Sequence, residues 1–123
     1  MHGLLFNFAR TKLGKLFIGW IFANMDFIIP LDRLVETKNW IAFRHPQPAY
    51  SIHILLVPKK ALPNFSAISP VDTELLTDLI STVQKIVSDL NLGESGYRLI
   101  TNGGAYQDIP QLHFHLVSGD TIN

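Results

Sequence analysis

No cysteine occurs in the chain, so it offers neither a disulfide nor a thiolate metal site, and a reducing compartment, the cytoplasm, is the expected setting. A surplus of one charge is missing too. Lysine plus arginine number ten and aspartate plus glutamate ten, which leaves no broad basic field for nucleic acid or an anionic membrane. Any anion has to be held by a local cluster of groups. No repeat, low-complexity tract or linker-like stretch divides the 123 residues, of which 47% are hydrophobic. A chain of this size and apolar content builds one ordinary core without covalent staples.

Long apolar runs are also lacking. Arg10, Lys12 and Lys15 precede the run Leu16-Phe-Ile-Gly-Trp-Ile-Phe-Ala23, which falls far short of the roughly 20 residues that span a bilayer. Asn24-Met25-Asp26 follows it, without a clear small-x-small cleavage signal. Between Leu4 and Phe22 the apolar side chains fall on every side of a helical wheel. The expectation is a helical extension over residues 1–19, packed in the core or in a subunit interface, followed by one domain over residues 20–123. Membrane contact through residues 4–23, or a targeting signal, is the alternative.

The rest of the chain reads as alternating elements. Residues 39–43 make a short strand ended by the Pro46 and Pro48 loop, and residues 51–57 a strand that stops at Pro58. Leu75, Leu76, Leu79, Ile80, Val83, Ile86, Val87 and Leu90 recur at three- and four-residue steps, predicting an amphipathic helix over 72–92. Ser69-Pro70 is expected to open that helix and Gly93 to stop it. Strands are predicted at 97–101 and 111–117, with a turn at Asn102-Gly103-Gly104. This order implies an α+β fold, with helices packed on an antiparallel sheet.

In a strand over 111–117 the period of two puts Gln111, His113 and His115 on one face. Imidazole serves as nucleophile, general acid or base, or metal ligand, or stands as a hydrogen-bonded, half-buried group; the spacing alone leaves all four open.

Its company narrows the choice. The segment Gln107-Asp-Ile-Pro-Gln-Leu-His-Phe-His-Leu-Val-Ser-Gly119 resembles the motif of the histidine-triad (HIT) family, Gln-Ser-hydrophobic-x-His-hydrophobic-His-hydrophobic-His. Ala42-Phe43, the block His53-Ile-Leu-Leu-Val-Pro-Lys-Lys60, and Tyr97-Arg98-Leu-Ile with Asn102 resemble three further family blocks in the same order. The resemblance implies a HIT-like fold: a sheet of about five antiparallel strands with a long amphipathic helix packed on it, here with an extra N-terminal helix. It implies the nucleotide-binding branch of the family, and a hydrolase or nucleotidyl transferase that cleaves a phosphoramidate or phosphoanhydride bond.

Carried over residue by residue, His113 matches the nucleophile that forms a covalent nucleotidyl-histidine. His115 matches the histidine near the phosphate and leaving group, and His53 the fourth histidine that supports the triad. Asn102 and Gln107 match residues at the phosphate end, and Phe43 lies in the block beside the ligand. Three positions depart from the pattern. Gln111 replaces the first histidine and can keep hydrogen bonding, to His53 for instance, but no proton role. His45 stands in place of an acidic residue that holds the ribose hydroxyls. Asp108 stands in place of a phosphate-contacting serine, where a carboxylate repels an anion unless it is neutralised, turned away or bridged by a cation.

The expected partners are a nucleotide or another phosphorylated small molecule and a second copy of the chain in a homodimer. No cofactor is required; zinc on His53, His113 and His115 is the alternative. The alternative function is a catalytically attenuated protein that binds a phosphorylated ligand or a protein partner.

Overall fold

The computed structural model describes residues 33–122, so the expected N-terminal helix and the domain boundary at residue 20 lie outside the described residues. Five strands form one antiparallel sheet: β1 (Arg33–Glu36), β2 (Trp40–Arg44), β3 (Tyr50–Pro58), β4 (Arg98–Ile100) and β5 (Phe114–Thr121). Their order across the sheet is β1-β2-β3-β5-β4. One long helix, α1 (Thr73–Asp89), and a single turn, α2 (Leu92–Ser95), connect β3 to β4. Among the described residues no helix is long and apolar enough to cross a membrane.

The predicted helix forms, with different ends. Asp72, not Ser69, caps it, its carboxylate accepting from Leu75 N at 3.2 Å. A carboxylate suits the positive end of the helix and satisfies one of its orphan N–H groups. The helix stops at Leu90, and Asn91 takes the left-handed conformation, φ 55°, that Gly93 was expected to supply. Gly93 lies inside α2.

Register explains how the core divides. Ala42 faces Leu56, and Ile54 and Leu56 face Leu116 and Phe114. With Trp40 these side chains form the face that packs on Leu75, Leu79 and Ile86 of α1. Trp40 Nε1 donates to Leu75 O at 3.0 Å, so even the indole's polar atom is paired where the ring is wholly buried. On the opposite face Phe43, Leu55 and His115 stand in line across β2, β3 and β5, with His53 beside Val117. All of these are buried. A sheet covered on both faces accounts for the near-continuous apolar run of β3, which a one-sided sheet would break with alternating polar residues.

The β3–β5 ladder shifts register between Tyr50 and Ile52. There Gly119 adopts φ +82°, and a Cβ on it would lie 2.9 Å from Ser51 Cβ. Only glycine fits both the dihedral and the approach.

Candidate functional site

Three neighbouring strands deliver four imidazoles to the second face of the sheet. His45 follows β2 and extends the ladder, its N–H donating to His53 O at 2.8 Å. His53 lies on β3, His115 on β5, and His113 immediately before β5. The ring centroids are 4.5 Å apart for His45 and His53, 5.1 Å for His53 and His115, and 5.0 Å for His113 and His115.

The strand expected over 111–117 begins only at Phe114. Gln111 N donates to Ile109 O at 2.8 Å and Leu112 N to Leu62 O at 2.7 Å, so the lead-in bonds to itself and to the loop after β3. The Gln111 side chain does the same. Its Oε1 accepts from Leu62 N at 3.2 Å and its Nε2 donates to Lys60 O at 3.1 Å. It therefore staples two loops and does not bond His53, whose ring nitrogens pair with Ala49 and His115.

Backbone groups fix the tautomers, as assigned from the hydrogen-bond network. Gln47 N donates to His45 Nδ1 at 2.9 Å and Ala49 N to His53 Nδ1 at 2.9 Å. Both rings are acceptors at Nδ1 and so carry their proton on Nε2. His53 Nε2 lies 2.9 Å from His115 Nδ1, so it donates there and leaves the proton of His115 on Nε2. His113 is the reverse case. Its Nδ1 lies 2.8 Å from Gln111 O, and a carbonyl only accepts, so the proton sits on Nδ1 and the lone pair on Nε2. Each neutral imidazole has one lone-pair nitrogen. Three of the four are occupied by N–H donors, and His113 Nε2 is the one left available.

The rings are held neutral. Burial pushes His45 down to about 3, helped by the neighbouring His53 and His113, and pushes His53 down to about 4. Burial and the three surrounding histidines bring His115 to about 2. Burial lowers His113 as well, opposed by its bond to Gln111 O and by the charge of Asp108. At neutral pH every ring is neutral, with one N–H and one lone-pair nitrogen, which is the state a nucleophilic imidazole needs.

The remaining residues singled out from sequence divide. Phe43 is a buried core residue in line with Leu55 and His115. Asn102 follows β4 and is half-buried. Gln107 spends its amide donor on Pro63 O, at 2.7 Å, and Ile109 O, at 2.8 Å, closing the loop instead of presenting that group to a ligand. Asp108 has one carboxylate oxygen, Oδ1, buried with no hydrogen-bond partner. Among the described residues no group of three His, Asp or Glu side chains is arranged to hold a metal ion.

Sequence reasoning missed Thr101, whose hydroxyl donates to His113 O at 2.9 Å, and the backbone donors at positions 47 and 49. A backbone N–H leaves no trace in residue identity. Thr101, directly after β4, was visible only as a strand residue, and the turn expected at Asn102-Gly103-Gly104 is instead a lead-in to a short 3-10 helix over Gly104–Tyr106.

The sheet, its helix layer and the row of imidazoles define an α+β domain of the histidine-triad class. The HIT domain family model matches residues 27–122, and the chain belongs to that family. It is 35% identical over 94 residues to an uncharacterized HIT-like protein of Helicobacter pylori, an alignment covering 75% of this chain and 88% of that protein. Among solved structures it is similar to a HIT family hydrolase from Legionella pneumophila, with 32% identity, a TM-score of 0.69, and 77% and 87% of the two chains covered. It is also similar to a histidine triad nucleotide-binding protein from Candida albicans, with 27% identity, a TM-score of 0.70, and 86% and 79% covered.

Proposed function

We propose that this protein is a nucleotide-binding hydrolase that cleaves a phosphoramidate bond through a covalent nucleotidyl intermediate on His113. The observation that carries the reading is the tautomer of His113. Its Nδ1–H is tied to Gln111 O, and its Nε2 lone pair is the one among the four imidazoles that no donor occupies. The Legionella relative described as a hydrolase and the Candida relative described as nucleotide-binding support the reaction class and the ligand class.

In this reading the His113 Nε2 lone pair attacks phosphorus. The P–N bond to the amine breaks, the amine keeps the electron pair, and it takes a proton from solvent. The intermediate is an N-phosphorylated imidazolium whose Nδ1–H still donates to Gln111 O, and that contact spreads the new positive charge. His115, with a pKa of about 2, is no general acid at neutral pH. Its Nε2–H acts as a fixed hydrogen-bond donor to the phosphoryl oxygens, aimed by the bond from His53. Water then attacks phosphorus, the P–Nε2 bond returns its pair to His113, and the protons of the water pass to solvent and the released amine.

His113→Ala is expected to lower the turnover of an adenosine 5′-phosphoramidate by at least a thousandfold, read by release of the monophosphate. Intact-mass measurement of the quenched wild type is expected to show the nucleotidyl adduct. Unchanged turnover in the variant would remove the assignment.

The same reading makes the chain a homodimer, the commonest closed assembly. Strand β4 is a sheet edge bearing exposed Leu99, preceded by exposed Tyr97, which lines a groove with Val83, Val87 and Asn91. Leu99→Asp is expected to give a monomer by light scattering, and an unshifted mass would reject this face as the interface.

A further inference from the structure

The buried oxygen of Asp108 asks for a partner. Among the described residues it is the one buried side-chain oxygen or nitrogen without one, on a side chain that is otherwise half-buried, and leaving a polar atom unpaired in a buried position costs about 1–3 kcal/mol. Such a group is a strain that a ligand can relieve. The loop that carries it is fixed. Gln107 ties it to Pro63 and Ile109, and Ile109 O takes the N–H of Gln111, whose own carbonyl orients His113. Asp108 is near enough to His113 for its charge to act on that ring.

A carboxylate accepts hydrogen bonds and donates none. Next to a phosphorylated ligand it repels the phosphoryl oxygens and attracts a cation or an N–H donor. In the reading above the His115 Nε2–H is the donor to the phosphoryl oxygens, and the part of the substrate that a carboxylate can attract is then the leaving group.

We propose that Asp108 sets the substrate class of this site, favouring nucleoside phosphoramidates whose amine leaving group carries a positive charge and disfavouring anionic leaving groups such as a second phosphate. The inference rests on the phosphoramidate reading above. The reaction is the one already written: the P–N bond breaks, the amine leaves with the electron pair and a solvent proton, and its distal cation pairs with Asp108. The carboxylate is thus a binding and specificity group, and the electron flow at phosphorus is unchanged.

The test uses three adenosine 5′-phosphoramidates of four-carbon amines that differ only at the far end, which is an ammonium, a methyl or a carboxylate. kcat/KM is measured for the wild type, Asp108→Asn and Asp108→Ser, and affinity for His113→Ala, each with EDTA and with magnesium. For the wild type the order ammonium over methyl over carboxylate is expected, with roughly ten- to hundredfold between the ends, the range of one charge-assisted contact. In both Asp108 variants the spread is expected to collapse to within about threefold. Measurable turnover with no order, or an order that survives in both variants, overturns the inference and leaves the hydrolase reading standing. Absent turnover with the same order of affinities on His113→Ala sinks the hydrolase reading and upholds Asp108 as the charge selector. An order seen only with magnesium means that the carboxylate works through a divalent cation, and overturns the direct contact proposed here.

Discussion

Lowering the pH from 7 to 5 puts protons on His45, His53 and His115 in the unfolded chain, where each titrates near 6.5, but not in the folded protein, where burial holds them at about 3, 4 and 2. The unfolded state therefore binds more protons across this window. Stability from these groups is fully present above pH 6.5 and is lost as the pH falls from there toward the folded values of about 4, 3 and 2. The magnitude follows from the exposures, which are only 6%, 2% and 1%. Between pH 7 and pH 5 each histidine gives up about 1.8 kcal/mol, and the three together about 5 kcal/mol. A domain of this size has about 5–15 kcal/mol in all. His113, also lowered by burial, acts in the same direction.

Urea titrations at pH 7, 6, 5.5 and 5, followed by intrinsic tryptophan fluorescence, which includes buried Trp40, are expected to show the midpoint falling steeply at constant slope. The acid transition is expected near pH 5, well above the range of an ordinary carboxylate. His45→Asn offers its side-chain oxygen to the Gln47 N–H in place of Nδ1 and cannot titrate, so the pH dependence is expected to fall by about a third. Unfolding free energies that agree within about 1 kcal/mol from pH 7 to pH 5 would refute the reasoning, because the rings would then be protonating inside the folded protein.

Two further substitutions test the scaffold of the site. Gln111→Ala strands the Leu62 N–H and the Lys60 carbonyl and is expected to cost about 2–3 kcal/mol, roughly 8–12 °C in thermal midpoint. Gln111→His keeps the backbone carbonyl that orients His113 and is expected to keep turnover; a loss as deep as that of His113→Ala would show that the side chain, not the main chain, does the orienting. Gly119→Ala forces a Cβ to within 2.9 Å of Ser51 Cβ at φ +82° and is expected to destabilise by at least 1 kcal/mol in the same urea assay.

What was legible in the sequence is what depends on side-chain pattern. The run from Ile54 to Val57 is apolar on both pleats because both faces of β3 are buried, and the three- and four-residue steps of Leu75, Leu79 and Ile86 lie on the face of α1 that meets Trp40 and Leu116. His53, His113 and His115 could be singled out for the same reason: residue type and spacing carry the signal. The start of β5 could not. Alternation persists through Gln111, Leu112 and His113, but Pro110 offers no N–H, and the amides that follow it bond Ile109 and Leu62, so the period of two continues where the ladder does not.

The chemistry of the rings was hidden for a related reason. Which nitrogen holds a proton is decided by the backbone N–H groups of residues 47 and 49 and by the carbonyl of residue 111, and any amino acid other than proline supplies the first two, any at all the third. The glutamine at 111 illustrates the point. Read as a side chain it subtracts a histidine from the triad, yet its contribution to His113 is a main-chain oxygen, and its amide adds the staple that holds that oxygen in place. Asp108 is the opposite case, because no main-chain group substitutes for its carboxylate. A departure at a position whose work is done by the backbone leaves the orientation of His113 intact, whereas one that leaves a buried carboxylate oxygen without a partner, as at Asp108, changes the charge around that ring.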